Sequence, residues 1–160
     1  MNELMEHYFT IKNMAARNVL LKQLVNQPPE DAKEFFLKAF KKECFLDMKL
    51  TALRGYAAYA SEEEVIPLMR KLLETLKKRP EKTPYNYQEY EPMRSVFLLP
   101  YLIDRYGYEC FRVFADQLEK QYTAMPDCFK NIYTLDEQGN ARNLRDPREV
   151  DEAILAFLAQ

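Results

Sequence analysis

Glycine is scarce in this sequence of 160 residues, with copies only at 55, 107 and 139. Glycine opens the left-handed backbone that tight β-turns use, so a chain this poor in it favours long helices over sheets. Histidine occurs once, as His7, and the three cysteines, Cys44, Cys110 and Cys128, are far apart. A zinc site needs several clustered Cys or His ligands, so no metal is expected. There is no glycine-rich phosphate loop, and no other cofactor is expected. Serine is represented by Ser61 and Ser95 alone, which is too little for a recognisable nucleophilic triad. Tryptophan is absent.

Neither sign of charge dominates. Against 25 acidic residues stand 23 basic ones, a net charge of −2, which argues against general binding to nucleic acid. The longest apolar run, Val96–Ile103, is far too short to span a bilayer. The opening MNELMEHYFTIKNM is acidic and has no unbroken apolar core, unlike a secretory signal. Odd, scattered cysteines suit a reducing compartment. Together these features lead us to expect a single soluble, cytoplasmic domain over residues 1–160.

The clearest pattern lies in Asp47–Lys78. Leu46, Leu50, Leu53, Ala57 and Ala60 recur at steps of four and three, which lines one face of a helix. Ser61 followed by Glu64 is a capping box for a second helix, and Glu62 and Glu63 suit the positive end of its dipole. Val65, Met69, Leu72 and Leu76 give that helix its buried face. Gly55, inside the first helix, costs up to about 1 kcal/mol against alanine. Close approach of a neighbouring helix would offset that cost. Pro67 should bend the second helix.

The same reading places helices at 2–12, 14–26 and 30–43. Ala16, Val19, Leu20 and Leu24 face inward in the second of these, Pro29 opens the third, and Cys44 is a small buried thiol at its end. Residues 79–92, with Pro80, Pro84, Pro92, Tyr85, Tyr87 and Tyr90, have no period and read as an ordered, inserted tyrosine/proline-rich loop. Residues 92–106 are the most apolar stretch. They read as a central buried helix kinked at Pro100. A helix over 108–122 follows Gly107. Within an irregular stretch at 123–145, DEQGN is a turn centred on Gly139, and its flanks permit a small hairpin. Asp146 caps a last helix with Pro147 at its first position and Val150, Ile154, Leu155 and Leu158 buried. The expected class is therefore all-α, with stacked antiparallel helix pairs, about seven or eight helices and a small hairpin segment near 128–145.

Ala16-Arg17, Met48-Lys49 and Met93-Arg94 open three helices alike, 32 and 45 positions apart. The surplus in the second spacing matches the tyrosine loop. The run EVIPLMRKLLETL resembles the first helix of a HEAT repeat, with its internal proline, and DMKLTALRGYAAY resembles the second. The resemblance spans about residues 15–122 in three imperfect pairs. It departs from the pattern in the insertion that splits the third pair and in the repeat aspartate, which is clear only at Asp47. The resemblance implies a protein-binding scaffold, or, as in a minority of such proteins, a DNA-repair glycosylase. No tryptophan is present for the aromatic role at a glycosylase site, and no catalytic acid can be matched.

Two functions follow as expectations. The first is a non-catalytic interaction module (adaptor, regulatory subunit or immunity-type protein) with a protein partner on the helical face rimmed by Tyr85, Tyr87 and Tyr90. The second, weaker one is nucleic-acid binding or glycosylase-type activity, with Lys77, Lys78, Arg79 and Lys82 on the backbone and the tyrosines stacking on bases. His7 lacks an identifiable partner for catalysis. Arg142, Arg145 and Arg148 read as an ion-paired surface. Scattered Asp and Glu leave a carboxylate site open.

Overall fold

The computed structural model describes residues 2–79 and 84–160; for residues 84–87 and 108 it describes the backbone alone. Within these the chain is all-α with one small hairpin. The helices are α1 Glu3–Tyr8, α2 Met14–Asn26, α3 Lys33–Lys42, α4 Leu46–Ala57, α5 Glu62–Lys77, α6 Pro84–Arg94, α7 Leu99–Tyr106, α8 Tyr108–Ala124 and α9 Pro147–Leu158. Strands β1 Tyr133–Leu135 and β2 Ala141–Asn143 pair antiparallel, with Thr134 opposite Arg142. Among the described residues no helix is long and apolar enough to cross a membrane.

Local chemistry sets several helix starts. The Asn13 side chain accepts from the Ala16 amide and opens α2. Ser61 and Glu64 form the full reciprocal capping box of α5. Asp146 caps α9, and Pro147 stands in its first turn. Each such cap satisfies amides that the helix cannot bond itself. In the hairpin turn, Asp136 Oδ1 accepts from the amides of Gln138 and Asn140, and Gly139 takes a φ of 84°.

The helix at the centre is α4. It packs against α2, α3, α5, α6 and α7. Nine of its residues are buried: Leu46, Met48, Leu50, Thr51, Ala52, Leu53, Gly55, Tyr56 and Ala57. The central place expected for 92–106 is therefore taken by α4, whose small residues admit close neighbours. Gly55 is where α3 comes nearest, because a Cβ there would collide with the Phe36 ring.

Residues 92–106 are two helices, not one. The backbone turns at Ser95–Leu98, and Pro100 lies in the first turn of α7, where its missing N–H is harmless. The turn frees the Phe97 carbonyl, which accepts from Arg54 Nη1 at 2.7 Å. The Arg54 guanidinium also lies over the Phe97 and Tyr101 rings, at 4.3 and 3.9 Å.

The expected loop at 79–92 is corrected in the same way. Pro84–Arg94 is helical, and residues 80–83 lie outside the described residues. Pro84 begins α6, where proline fits. Pro92 sits inside it and cannot bond the Gln88 carbonyl. That carbonyl instead accepts from the Tyr133 hydroxyl at 3.2 Å.

Smaller differences have local causes. Asp31 takes a φ of 55°, so α3 restarts only at Lys33 and Pro29 does not open it. On α2, Leu20, Leu21 and Leu24 face the core, while Ala16 and Val19 face solvent. Cys44 is exposed rather than buried. On α9 only Val150 is buried; Leu155 and Leu158 are exposed.

One buried polar network joins the first three helices. Arg17 grips Glu43 with two hydrogen bonds, at 2.6 and 2.8 Å, and the Tyr8 hydroxyl donates to the same carboxylate at 2.5 Å. Burial pushes the Glu43 carboxyl up. The bonds from Arg17 and Tyr8 more than reverse this and hold it below the ordinary glutamate range.

The Gly55 contact is open to measurement. Gly55→Ala should destabilise the fold by about 1–3 kcal/mol in urea denaturation, although alanine is the better helix former. Adding Phe36→Leu should recover part of that loss. A neutral or stabilising Gly55→Ala would mean that the helices are not in this close contact.

Candidate binding site

The basic and aromatic residues picked out by sequence divide in the structure. Lys77 and Lys78 are exposed at the end of α5. Arg79 pairs with the buried Glu89 at 3.0 Å. Tyr90 is buried, and its hydroxyl accepts from Gln121 Nε2 at 2.9 Å, so it serves the core. Lys82 and the side chains of Tyr85 and Tyr87 lie outside the described residues. His7 is exposed, and Arg145 donates to the carbonyls of Cys128 and Lys130.

Several cavities open on the surface. A groove of about 430 Å³ runs between α5 and α8, lined by Ile66, Leu73 and Val113 among others. A second, of about 410 Å³, lies between α6, β1 and α9. The most informative is smaller, about 190 Å³, where α2, α4, α6 and β1 meet. Its walls are Met14, Ala15, Phe45 and Met48, and its polar groups are Asn18, Asp47, Gln88, Glu89 and Tyr133. Chemistry, not size, singles it out. Among the described residues, only Asn18 Oδ1 and Glu89 Oε2 are buried side-chain polar atoms without a hydrogen-bond partner, and both residues line this cavity. An unpaired buried acceptor costs roughly 1–3 kcal/mol, so folds retain few of them.

Each polar group has an identifiable support. The Asn13 cap fixes the start of α2, which places Asn18 one turn beyond Met14. Phe45 occupies the N-cap of α4 and has no side chain able to cap it. Glu89 supplies that cap from α6: its Oε1 accepts from the Leu46 amide at 2.9 Å and from Arg79. A carboxylate is favoured there because the amides and the helix dipole both present positive charge. Asp47, in the first turn of α4, sits at the same helix end. Tyr133 is held by its bond to Gln88, while the hairpin is pinned where Asn26 donates to the Gln138 carbonyl at 2.8 Å.

The site is electrostatically strained. Burial pushes the Asp47 carboxyl up to about 6, against the first-turn amides and the charges of Lys22 and Arg79, which pull it down. Burial also raises Glu89, and the nearby Asp47 charge adds to that, while the Leu46 amide and Arg79 oppose it. Burial and the charges of Asp47 and Glu91 raise the Tyr133 hydroxyl. Lys22, one turn past Asn18 on α2, is lowered by burial and supported by Asp47 and Asp136. Hydrophobic side chains rim the opening: Met14 is 42% exposed and Phe45 41%. Such a rim around a polar centre is the anatomy of a contact site.

Sequence reasoning missed this cavity because its members stand at 18, 47, 89 and 133, with no spacing to connect them. The one available signal was Asp47, the clear repeat aspartate. Among the described residues there is no group of three or more His, Cys, Asp or Glu able to hold a metal ion. Comparison with protein-family models, with curated proteins and with solved structures finds no match.

The strain on Asp47 has a definite sign. Its folded pKa exceeds the unfolded value, so the folded state loses stability as pH rises from about 4 through about 6. Asp47→Asn should therefore be more stable than the parent above pH 6, by about 2–3 kcal/mol, and should match it below about pH 4. Thermal or urea unfolding across that range gives the comparison. A stability difference independent of pH would contradict it.

Proposed function

We propose that this chain is a non-catalytic interaction module that binds a partner protein through the face holding the Asn18–Asp47–Glu89 cavity and its Met14–Phe45 rim. The observation that carries this is the pair of buried, unpartnered acceptors in one cavity under an exposed apolar rim. A fold keeps such a cost where something outside the chain relieves it. The resemblance of α4 and α5 to HEAT-repeat helices points the same way, since those proteins are mainly binding scaffolds. For the nucleic-acid alternative, Arg79 is committed to Glu89, which leaves Lys77 and Lys78 as the exposed described cations of that stretch.

Acid–base catalysis is the second reading. Asp47 is poised near pH 6, where a carboxyl can both give and take a proton. It ranks below binding because Glu89, the other carboxyl lining the cavity, is engaged in capping α4 and pairing with Arg79.

A photo-activated cross-linking residue at position 45, compared with the same residue at position 155 on exposed α9, tests the binding face. In the cells that make the protein, position 45 should yield one discrete partner adduct that position 155 does not. Met14→Ser together with Phe45→Ser should weaken that partner's affinity by about tenfold to a hundredfold with the helical signal unchanged. Identical adducts from both positions, or none from position 45, would refute this face.

A further inference from the structure

We infer that the group received by the cavity is the guanidinium of an arginine side chain on the partner; this rests on the interaction-module reading above. The lining of the cavity decides the chemistry. Asn18 Oδ1 and Glu89 Oε2 are unpartnered acceptors, and Glu89 as a whole is only 2% exposed. Asp47 adds a second carboxylate. Tyr133 spends its proton on the Gln88 carbonyl and so turns lone pairs to its surroundings. Among the described residues no lysine or arginine lines the cavity. Arg79 is bound to the other oxygen of Glu89, and Lys22 acts on Asp47 from the next turn of α2. Acceptors from several elements therefore converge with no cation among them, and they call for a ligand rich in donors.

Size and shape narrow the class. A cavity of about 190 Å³ suits one side-chain head group, because drug-sized ligands take roughly 300–1,000 Å³. Met14, Ala15, Phe45 and Met48 offer apolar wall to a methylene stem. Guanidinium carries its donors in a planar fork and is more weakly hydrated than ammonium, so it leaves water for a half-apolar site more readily. A carboxylate oxygen beside an amide oxygen can engage that fork from two directions. Protonation of Asp47 removes an acceptor and a charge together, so affinity should fall as pH drops through about 6.

The experiment titrates the full-length protein with N-acetylarginine methylamide, following backbone amide resonances. The matching citrulline and lysine compounds serve as controls. Saturable shifts at Asn18, Leu46 and Glu89 are expected with the arginine compound, weaker ones with lysine, and none with citrulline, which has the shape without the charge. Asp47→Asn should weaken arginine binding by about tenfold or more. Asn18→Leu removes an unpaired acceptor and loses no hydrogen bond, so it should abolish the shifts while raising the melting midpoint by about 2–4 °C. Equal binding of citrulline, tighter binding of lysine, no shift with any compound, or a lowered midpoint in Asn18→Leu would each overturn the arginine assignment. The two readings fail separately. A partner adduct at position 45 without arginine binding removes the arginine assignment alone. Arginine binding without an adduct removes the partner face.

Discussion

The enclosure of α4 is the constraint on which the rest depends. A helix packed by five others has little water at its first amides, and a neighbour satisfies the Leu46 amide. At its start the N-cap is Phe45, which has nothing to offer, and Glu89 reaches across from α6 to accept the Leu46 amide. One oxygen of that carboxylate is thereby used. The other is buried beside the cavity without a partner. The candidate site is thus a by-product of burying a helix end, and the same dipole that welcomes Glu89 also steadies Asp47 in the first turn.

A proline and a turn between helices route the chain around this centre. Pro92 cannot close the bond to Gln88, and the freed carbonyl becomes the anchor for Tyr133. That contact ties the hairpin to α6 and makes β1 a wall of the cavity. The turn at Ser95–Leu98 separates α6 from α7, and Pro100 stands in the first turn of α7. Arg54 takes up the Phe97 carbonyl left at the turn, stacked between two rings. At Gln88 the N–H missing from Pro92, and at Phe97 the break between helices, leave a carbonyl that a side chain distant in sequence takes up. The Phe97 ring also bears on Gly139, whose absent side chain lets the hairpin turn sit close.

Two of the buried glutamates contrast. Glu43 is buried with Arg17 and Tyr8 both donating to it, so the network is closed and its carboxyl is held down. Glu89 has one oxygen satisfied and one not, and its carboxyl is pushed up. The first arrangement has the form of structure, joining α1, α2 and α3. The second leaves a desolvation cost standing beside a surface cavity.

The sequence by itself determined what acts over a few residues. Asn13, Ser61 with Glu64, and Asp146 announce their helices, and DEQGN announces the hairpin turn. Gly55 announced a close neighbour, and Phe36 is that neighbour. Periodicity sufficed for the all-α class because caps and i,i+4 faces are local interactions. It failed where apolarity stood in for position: 92–106 looked central but is broken at Ser95–Leu98, and Cys44 looked buried but is exposed. The tertiary structure alone decided that Pro84–Arg94 is a helix, that Tyr90 belongs to the core, and that Asn18, Asp47, Glu89 and Tyr133 share one cavity. The reason is physical. Whether a polar atom is buried, and whether it finds a partner there, depends on groups that packing brings from elsewhere in the chain, and no local pattern encodes that meeting.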